Sequence, residues 1–339
     1  MHGTEATPTF VLVAGTTATA AVDGISAAGE TASLMAHTPA ADAEVLTYGR
    51  PVFAPIVPVS PEGCPTPALV SRAVRDLVGF DLVVIEAGID GPSAAPSVTV
   101  GEQPGGDIRE PEPVPDAAVL YERAREFAAT HPAERLLVGE TIPGGTTTAL
   151  GVLRALGESY DVSSSLATNP LDRKRAVVDD ALVASDLARG DLAGQPIEAI
   201  RRMGDPTLAV TLGLLTGGLE SGKAVTLAGG TQMIAAGALA RHAGVSAPFA
   251  IATTPFVAED DSVSIRAAAA DLDVTLHVTD PEFEPGAHVA TDHYLDGVAK
   301  EGVGMGGALH LTTAADVEMT AVQDRLIERY EHLMGDDVA

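Results

Sequence analysis

The stretch 136-LLVGETIPGGTTTALGVLRALG-157 decides how the chain is read. Leu136–Gly139 is a short apolar run, and TTTALGVLRALG places Leu150, Leu153 and Leu156 at helical spacing. The unit is a strand, a glycine turn and a helix. Gly144 and Gly145 let the backbone approach an anion at the helix start, and Thr146 and Thr147 add hydroxyl donors. As a phosphate loop, Gly139-x-x-x-x-Gly144-Gly145-Thr146 has glycine where a nucleotide-triphosphate site needs lysine. One phosphate suits such a turn better than a triphosphate with magnesium. A plain glycine turn with threonine caps fits the same residues.

The same plan extends outward. Strand candidates are Phe10–Ala14, Leu82–Glu86, Leu136–Gly139, Ala224–Ala228, Phe249–Thr253 and Val274–Val278. They are nearly continuously apolar rather than alternating, as parallel strands covered on both faces should be. Helix starts follow Thr66-Pro67 and Asp205-Pro206, and the tail has apolar residues at 319, 322, 326, 330 and 333. This alternation predicts an α/β fold: a three-layer, open, mostly parallel Rossmann-like sheet with helices on both faces. The reading is one domain over 1–339, with a C-terminal helix at about 314–334 as an accessory element. Asp90–Asp116 is rich in Pro and Gly and is expected to lack regular structure. Ligands of open α/β sheets bind beyond the carboxyl ends of the strands, so the strand-to-helix turns are the places to search.

Composition narrows the function. The 339 residues carry 47 Asp plus Glu against 20 Lys plus Arg, a net charge of −27. Such an acidic chain with three lysines, Lys174, Lys223 and Lys300, suits concentrated salt, where self-repulsion is screened; a mesophilic protein of low pI is the plainer reading. No basic patch invites nucleic acid. The single cysteine, Cys64, excludes an internal disulfide and reads as structural. Ala224–Ala240 is uncharged but broken by Gly229-Gly230, so a buried strand and helix are expected rather than a membrane span. The N-terminus shows no signal-peptide pattern, and a soluble cytoplasmic protein is expected.

Three further segments carry candidate chemistry. In AVTLAGGTQMIAAGALA, a strand leads through Gly229, Gly230, Thr231 and Gln232 into a helix; close packing explains the glycines equally well. In AKEGVGMGGALHL, Glu301 precedes glycines 302, 304, 306 and 307. A carboxylate desolvated in that flexible backbone would have the raised pKa of a general base, whereas a solvated glutamate would not. In DRKRAVVDDAL, Arg173, Lys174 and Arg175 cluster at a helix start, facing either a substrate phosphate or Asp179 and Asp180 one turn on. Histidines 277, 288, 293 and 310 lack metal-ligand spacing, so no metal and no cofactor are expected.

In order along the chain, these turns resemble the nicotinate-nucleotide:dimethylbenzimidazole phosphoribosyltransferases, in their shorter archaeal form. The family's G-E-M-G-I-G-N-T-T turn is similar to Gly139–Thr147, its K-x-x-V-V-x-x-A-L helix to Lys174–Leu182, and its D-P-x-A-V start to Asp205–Val210. Its V-L-L-D-G-F turn resembles Val225–Thr231, L-G-E-G-S-G-A resembles Ala299–Gly304, and G-V-S-A-Y-P-Q resembles Gly24–Glu30. The resemblance covers roughly residues 10 to 310. It implies a homodimer that moves phosphoribose from nicotinate mononucleotide to a benzimidazole-type aromatic base. It also implies Glu301 as general base, with Glu140 beside the ribose. Gly144, Gly145, Thr146, Thr147, Lys174, Gly229, Gly230 and Gly302 would bind the ribotide, and Ser26 and Glu30 the acceptor base. The chain departs from the family at Gly145 (asparagine), Ala28 and Glu30 (tyrosine and glutamine) and Thr16-Thr17 (aspartate–histidine). A non-catalytic ribotide binder of the same fold, or a transferase with another acceptor, fits those departures too.

Overall fold

The computed structural model describes residues 7–26, 32–60 and 63–335. Seven strands form one all-parallel sheet: β1 (Thr9–Ala14), β2 (Leu82–Ala87), β3 (Ser97–Gly101), β4 (Arg135–Thr141), β5 (Ala224–Ala228), β6 (Ala250–Thr253) and β7 (Thr275–Val278). Their order is β3-β2-β1-β4-β5-β6-β7. All six expected strands form, with ends shifted by a residue or two.

Period-two alternation sorts the strand side chains between two helical layers. Val11 and Val13 of β1 and Leu136 and Val138 of β4 face α4 (Ala117–Thr130), α5 (Gly145–Leu156), α6 (Leu171–Ala184), α7 (Pro196–Met203), α8 (Pro206–Glu220), α9 (Thr231–His242) and α11 (Ile265–Asp271). Phe10, Leu12 and Leu137 face α2 (Thr38–Tyr48), α3 (Ala68–Val78), α12 (Val289–Leu295), α13 (Met305–Ala315) and α14 (Met319–Gly335). Single turns α1 (Ala32–Met35) and α10 (Pro255–Ala258) complete the set. Among the described residues no helix is long and apolar enough to cross a membrane.

Two expectations are corrected. The Pro/Gly-rich 90–116 segment contains β3, which pairs with β2 from Val84↔Ser97 onward. Ser97, Val98 and Thr99 are exposed on this edge strand, so it has no continuous apolar run to betray it. The rest of the segment is pinned down: Thr17 Oγ1 donates to the Gly106 carbonyl at 2.8 Å, and the Ala18 and Gly105 amides bond to the Gly105 and Thr16 carbonyls. The C-terminal helix begins at Met319 rather than near 314, because Ala314 and Ala315 end α13 and Asp316 stops it with a left-handed backbone (φ 55°). Val322, Leu326 and Leu333 of α14 join the core against α3.

The topology also positions the site. Strand order reverses between β1 and β4, and the crevice beyond their carboxyl ends is where such sheets bind ligands. The opening stretch contributes β4, the turn after it and α5.

Candidate active site

A cleft lies at that edge, with about 980 Å³ of open space counted to its solvent-facing mouth. It is walled by the turn Glu140–Thr146, by Gly230–Gln232 after β5, and by the loop 299–303 before α13. Thr38 and Asp42 of α2, residues 58–60 and 64–67 before α3, and Ser163–Ser165 complete it.

The turn after β4 is built as the sequence implies, but it spends its own amides. Gly144 takes a left-handed φ of 81°, and a Cβ there would lie 2.9 Å from the backbone of Ala20. The Gly145 N–H donates to the Ile142 carbonyl at 3.1 Å and the Thr147 N–H to the Gly144 carbonyl at 2.9 Å. What the turn offers a ligand is therefore chiefly Thr146 and the start of α5. Thr147 is fully buried and, like Gly229 against Met233, lies off the cleft wall.

Lys174 stands behind this turn. Its side chain is fully buried, and Nζ donates to Thr146 Oγ1 at 2.9 Å and to the Ser163 carbonyl at 2.6 Å. Burial, with Lys300 nearby, pulls its pKa down to about 7. Both hydrogen-bond partners are neutral, so an anion beside Thr146 would stabilise the ammonium. Its neighbour Arg175 does not turn to Asp179 or Asp180; it pairs with Asp161 at 2.7 Å and Asp172 at 3.2 Å. The Ser163 amide donates to Thr231 Oγ1 at 3.0 Å, joining the serine run to the β5 turn.

Glu301 is held, not loose. Its carboxylate accepts from the Gly306 N–H at 3.0 and 3.2 Å and from the Gly302 N–H at 3.1 Å, at the positive end of α13. The loop around it is fastened on all sides. Val303 N–H donates to the Glu140 carbonyl (2.9 Å), Ala299 N–H to that of Ser165 (2.8 Å), and Thr254 Oγ1 to that of Lys300 (2.7 Å). Ala299 and Val303 carry positive φ of 52° and 50°, the local strain that such over-determined loops sustain. Burial pushes Glu301 up to about 7. Burial, with Asp205, Glu301 and Asp42 adding repulsion, pushes Glu140 up to about 8. Asp42 accepts from Thr66 Oγ1 and Thr141 Oγ1, each at 2.6 Å, and burial still raises it to about 6. Near neutral pH the cleft thus holds a largely protonated Glu140 and a Glu301 poised to take a proton.

Of the residues singled out in the sequence, Glu140, Gly144, Gly145, Thr146, Gly230, Glu301, Gly302 and Ser26 line the cleft. Lys174 reaches it through Thr146, and Glu30 lies outside the described residues. Thr16 and Thr17, where the resembled family has aspartate–histidine, instead hold the 90–106 segment: Thr16 Oγ1 accepts from the Asp90 N–H at 3.1 Å. Asp42, the serine run and Lys300, which is paired with Asp260 at 2.6 Å, also border the cleft, and no local pattern marked them. Asp42 sits inside an alanine-rich helix whose residues 38–46 are all buried, so amphipathic periodicity is missing there.

An all-parallel sheet with helices on both faces and a cleft at its switch point defines an open, doubly wound α/β protein. Two solved structures from Thermus thermophilus share this fold. One, titled CobT, superposes with a TM-score of 0.64 at 17% identity, covering 95% of this chain and 84% of that one. The other, titled a nicotinate-nucleotide–dimethylbenzimidazole phosphoribosyltransferase, gives 0.61 at 19% identity, covering 95% and 83%. The chain therefore has the fold of those transferases. It belongs to the UPF0284 protein family: it is 58% identical over 334 residues to the member from Halobacterium salinarum, covering 98% of this chain and all of that one. The Methanosarcina mazei member is 41% identical over 90% of this chain and 88% of its own length. No protein-family model matches the chain.

Proposed function

We propose that the protein transfers phosphoribose from nicotinate mononucleotide to an aromatic nitrogen base, giving the base's α-ribotide and nicotinate. A benzimidazole-type base, giving α-ribazole phosphate, is the acceptor the family resemblance implies. The observation that carries the reading is the placement of Glu301 and Glu140 in one cleft with Thr146, which is backed by the buried Lys174.

Each residue has work in that reaction. The ribotide phosphate sits at Thr146 and the start of α5, where its charge supports the Lys174 ammonium. An acceptor ring nitrogen attacks C1′ of the ribose. The C1′–N bond to nicotinate breaks, and its electron pair returns to the pyridinium ring, which leaves uncharged. The proton on the acceptor ring goes to the Glu301 carboxylate. Glu140, protonated, donates a hydrogen bond toward the ribose without adding a second anion beside the phosphate. Because the leaving group is already cationic, orientation and one base suffice, with no covalent intermediate. A cytoplasmic homodimer completes the reading, and sedimentation equilibrium checks the dimer.

The test is incubation with nicotinate mononucleotide and a panel of benzimidazoles and purines in molar salt, following free nicotinate. We expect base-dependent release. Ribotide binding with no release for any base would make the protein a ribotide-binding member of the fold instead.

A further inference from the structure

The acceptor side of the cleft differs from its ribotide side. Its wall is Pro58, Val59, Pro65 and Pro67, and a Cβ on Gly302 would lie 3.5 Å from Pro67 Cγ, so this wall adjoins Glu301. Among the described residues lining the cleft none is aromatic. A flat acceptor therefore finds aliphatic surface but no ring to stack on, and hydrogen bonds must set its orientation.

Asp42 is placed to make one. It lines the cleft from α2, one turn beyond Thr38, at 3% exposure. Thr66, in the proline wall, donates to Oδ1 and Thr141, at the end of β4, donates to Oδ2. The carboxylate is thus clamped between the proline wall and the end of β4. A carboxylate offers about four acceptor positions, and these hydroxyls occupy two. Such a group, desolvated and only half satisfied, favours a ligand that brings an N–H donor.

We propose that Asp42 is the specificity determinant for the acceptor: it accepts a hydrogen bond from an amino substituent on the six-membered ring, so amino-bearing bases outcompete methyl-bearing ones. This rests on the transfer reading above. Losing such a charge-assisted bond leaves a buried acceptor unpaired, whereas adding an amino group to a purely apolar pocket would lose affinity.

The experiment compares 5-aminobenzimidazole with its near-isostere 5-methylbenzimidazole at saturating nicotinate mononucleotide. In the native protein we expect kcat/KM to favour the amino base by about 10- to 100-fold, the scale of a hydrogen bond to a charged group. Asp42→Asn keeps the size and both threonine partners but loses the charge and turns one acceptor into a donor. Its preference is expected to fall to within about threefold, with KM for nicotinate mononucleotide unchanged. A role confined to cross-tying α2 would leave that preference intact. Release with both bases and no amino preference in the native protein overturns the inference and leaves the transferase reading standing. No release with either base, or with any other base of the panel, overturns the transferase reading. The native comparison needs no variant, so it decides even if Asp42→Asn fails to fold; a preference unchanged in a folded Asp42→Asn protein overturns the assignment.

Discussion

Glu301 and Glu140 differ in what holds them, and that difference assigns their roles. Two backbone amides aim the Glu301 carboxylate, while Glu140 is buried among other acids. Under the proposed reaction Glu301→Gln removes the proton acceptor. Turnover should fall at least about 100-fold, the usual scale of general base catalysis, with ribotide affinity by calorimetry nearly unchanged. A fully active variant would refute the assignment. The pH profile of kcat/KM should be a bell. Its acidic limb falls below about 7 as Glu301 gains its proton, and its basic limb falls above about 7 to 8 as Lys174 and Glu140 lose theirs. Stability carries a separate signature. Glu140 holds its proton more tightly folded than unfolded, so it costs stability as pH rises from about 4.5 to about 8. Glu140→Gln should therefore lose less Tm than the native protein between about pH 5 and about pH 9; parallel slopes would contradict the burial assigned to Glu140. Both glutamates were legible in the sequence because each lies beside glycines, Glu140 at the strand end before the Gly144-Gly145 turn and Glu301 before Gly302. Asp42 and Ser163–Ser165 were not, since a polar residue inside a buried helix or an unpatterned loop shows its role only through what it touches.

At the level of elements, Gly304, Gly306 and Gly307 are explained by close approach and Gly302 by its φ of 147°, rather than by looseness. A Cβ on Gly306 would lie 2.4 Å from the backbone of Thr253 and 2.7 Å from Glu301 Oε2. Gly306→Ala should cost about 1–3 kcal/mol in denaturant unfolding and also displace Glu301, lowering kcat more than ribotide affinity. An alanine variant with native stability and turnover would show that α13 shifts freely, and the fastening of Glu301 would then fail as an explanation. Strands β1, β2, β4, β5 and β6 were readable because parallel strands covered on both faces demand largely apolar runs, and β7, at the other edge and only partly buried, was readable from its β-branched residues. Edge strand β3 escaped because half of it faces solvent and it sits inside a Pro/Gly-rich segment, so no apolar run marks it. Lys174 could be recognised as an unusual cation, yet its burial behind Thr146 follows only from α6 packing on α5.

For the molecule as a whole, the net charge of −27 is the dominant long-range term. A relative from a halophilic archaeon is similar over its full length, in keeping with an acidic surface suited to salt. Thermal unfolding followed from about 0.1 M to about 2 M KCl should show Tm rising with salt, because screening shortens the Debye length from about 10 Å to about 2 Å and weakens self-repulsion. A flat or falling Tm would assign the acidity no such role. The sequence by itself determined the alternating α/β plan, most of the strands, and the glycine turns that carry Glu140, Thr146 and Glu301. These are local: strand and helix periods and turn residues are written within a few neighbours of one another. The tertiary structure alone decided that strand order reverses beside β4, that Glu140, Glu301 and Asp42 share one cleft, and that Lys174 is a buried support. Strand order, shared burial and the pKa shifts that follow arise between residues on different elements, outside one another's local sequence, and no local pattern encodes them.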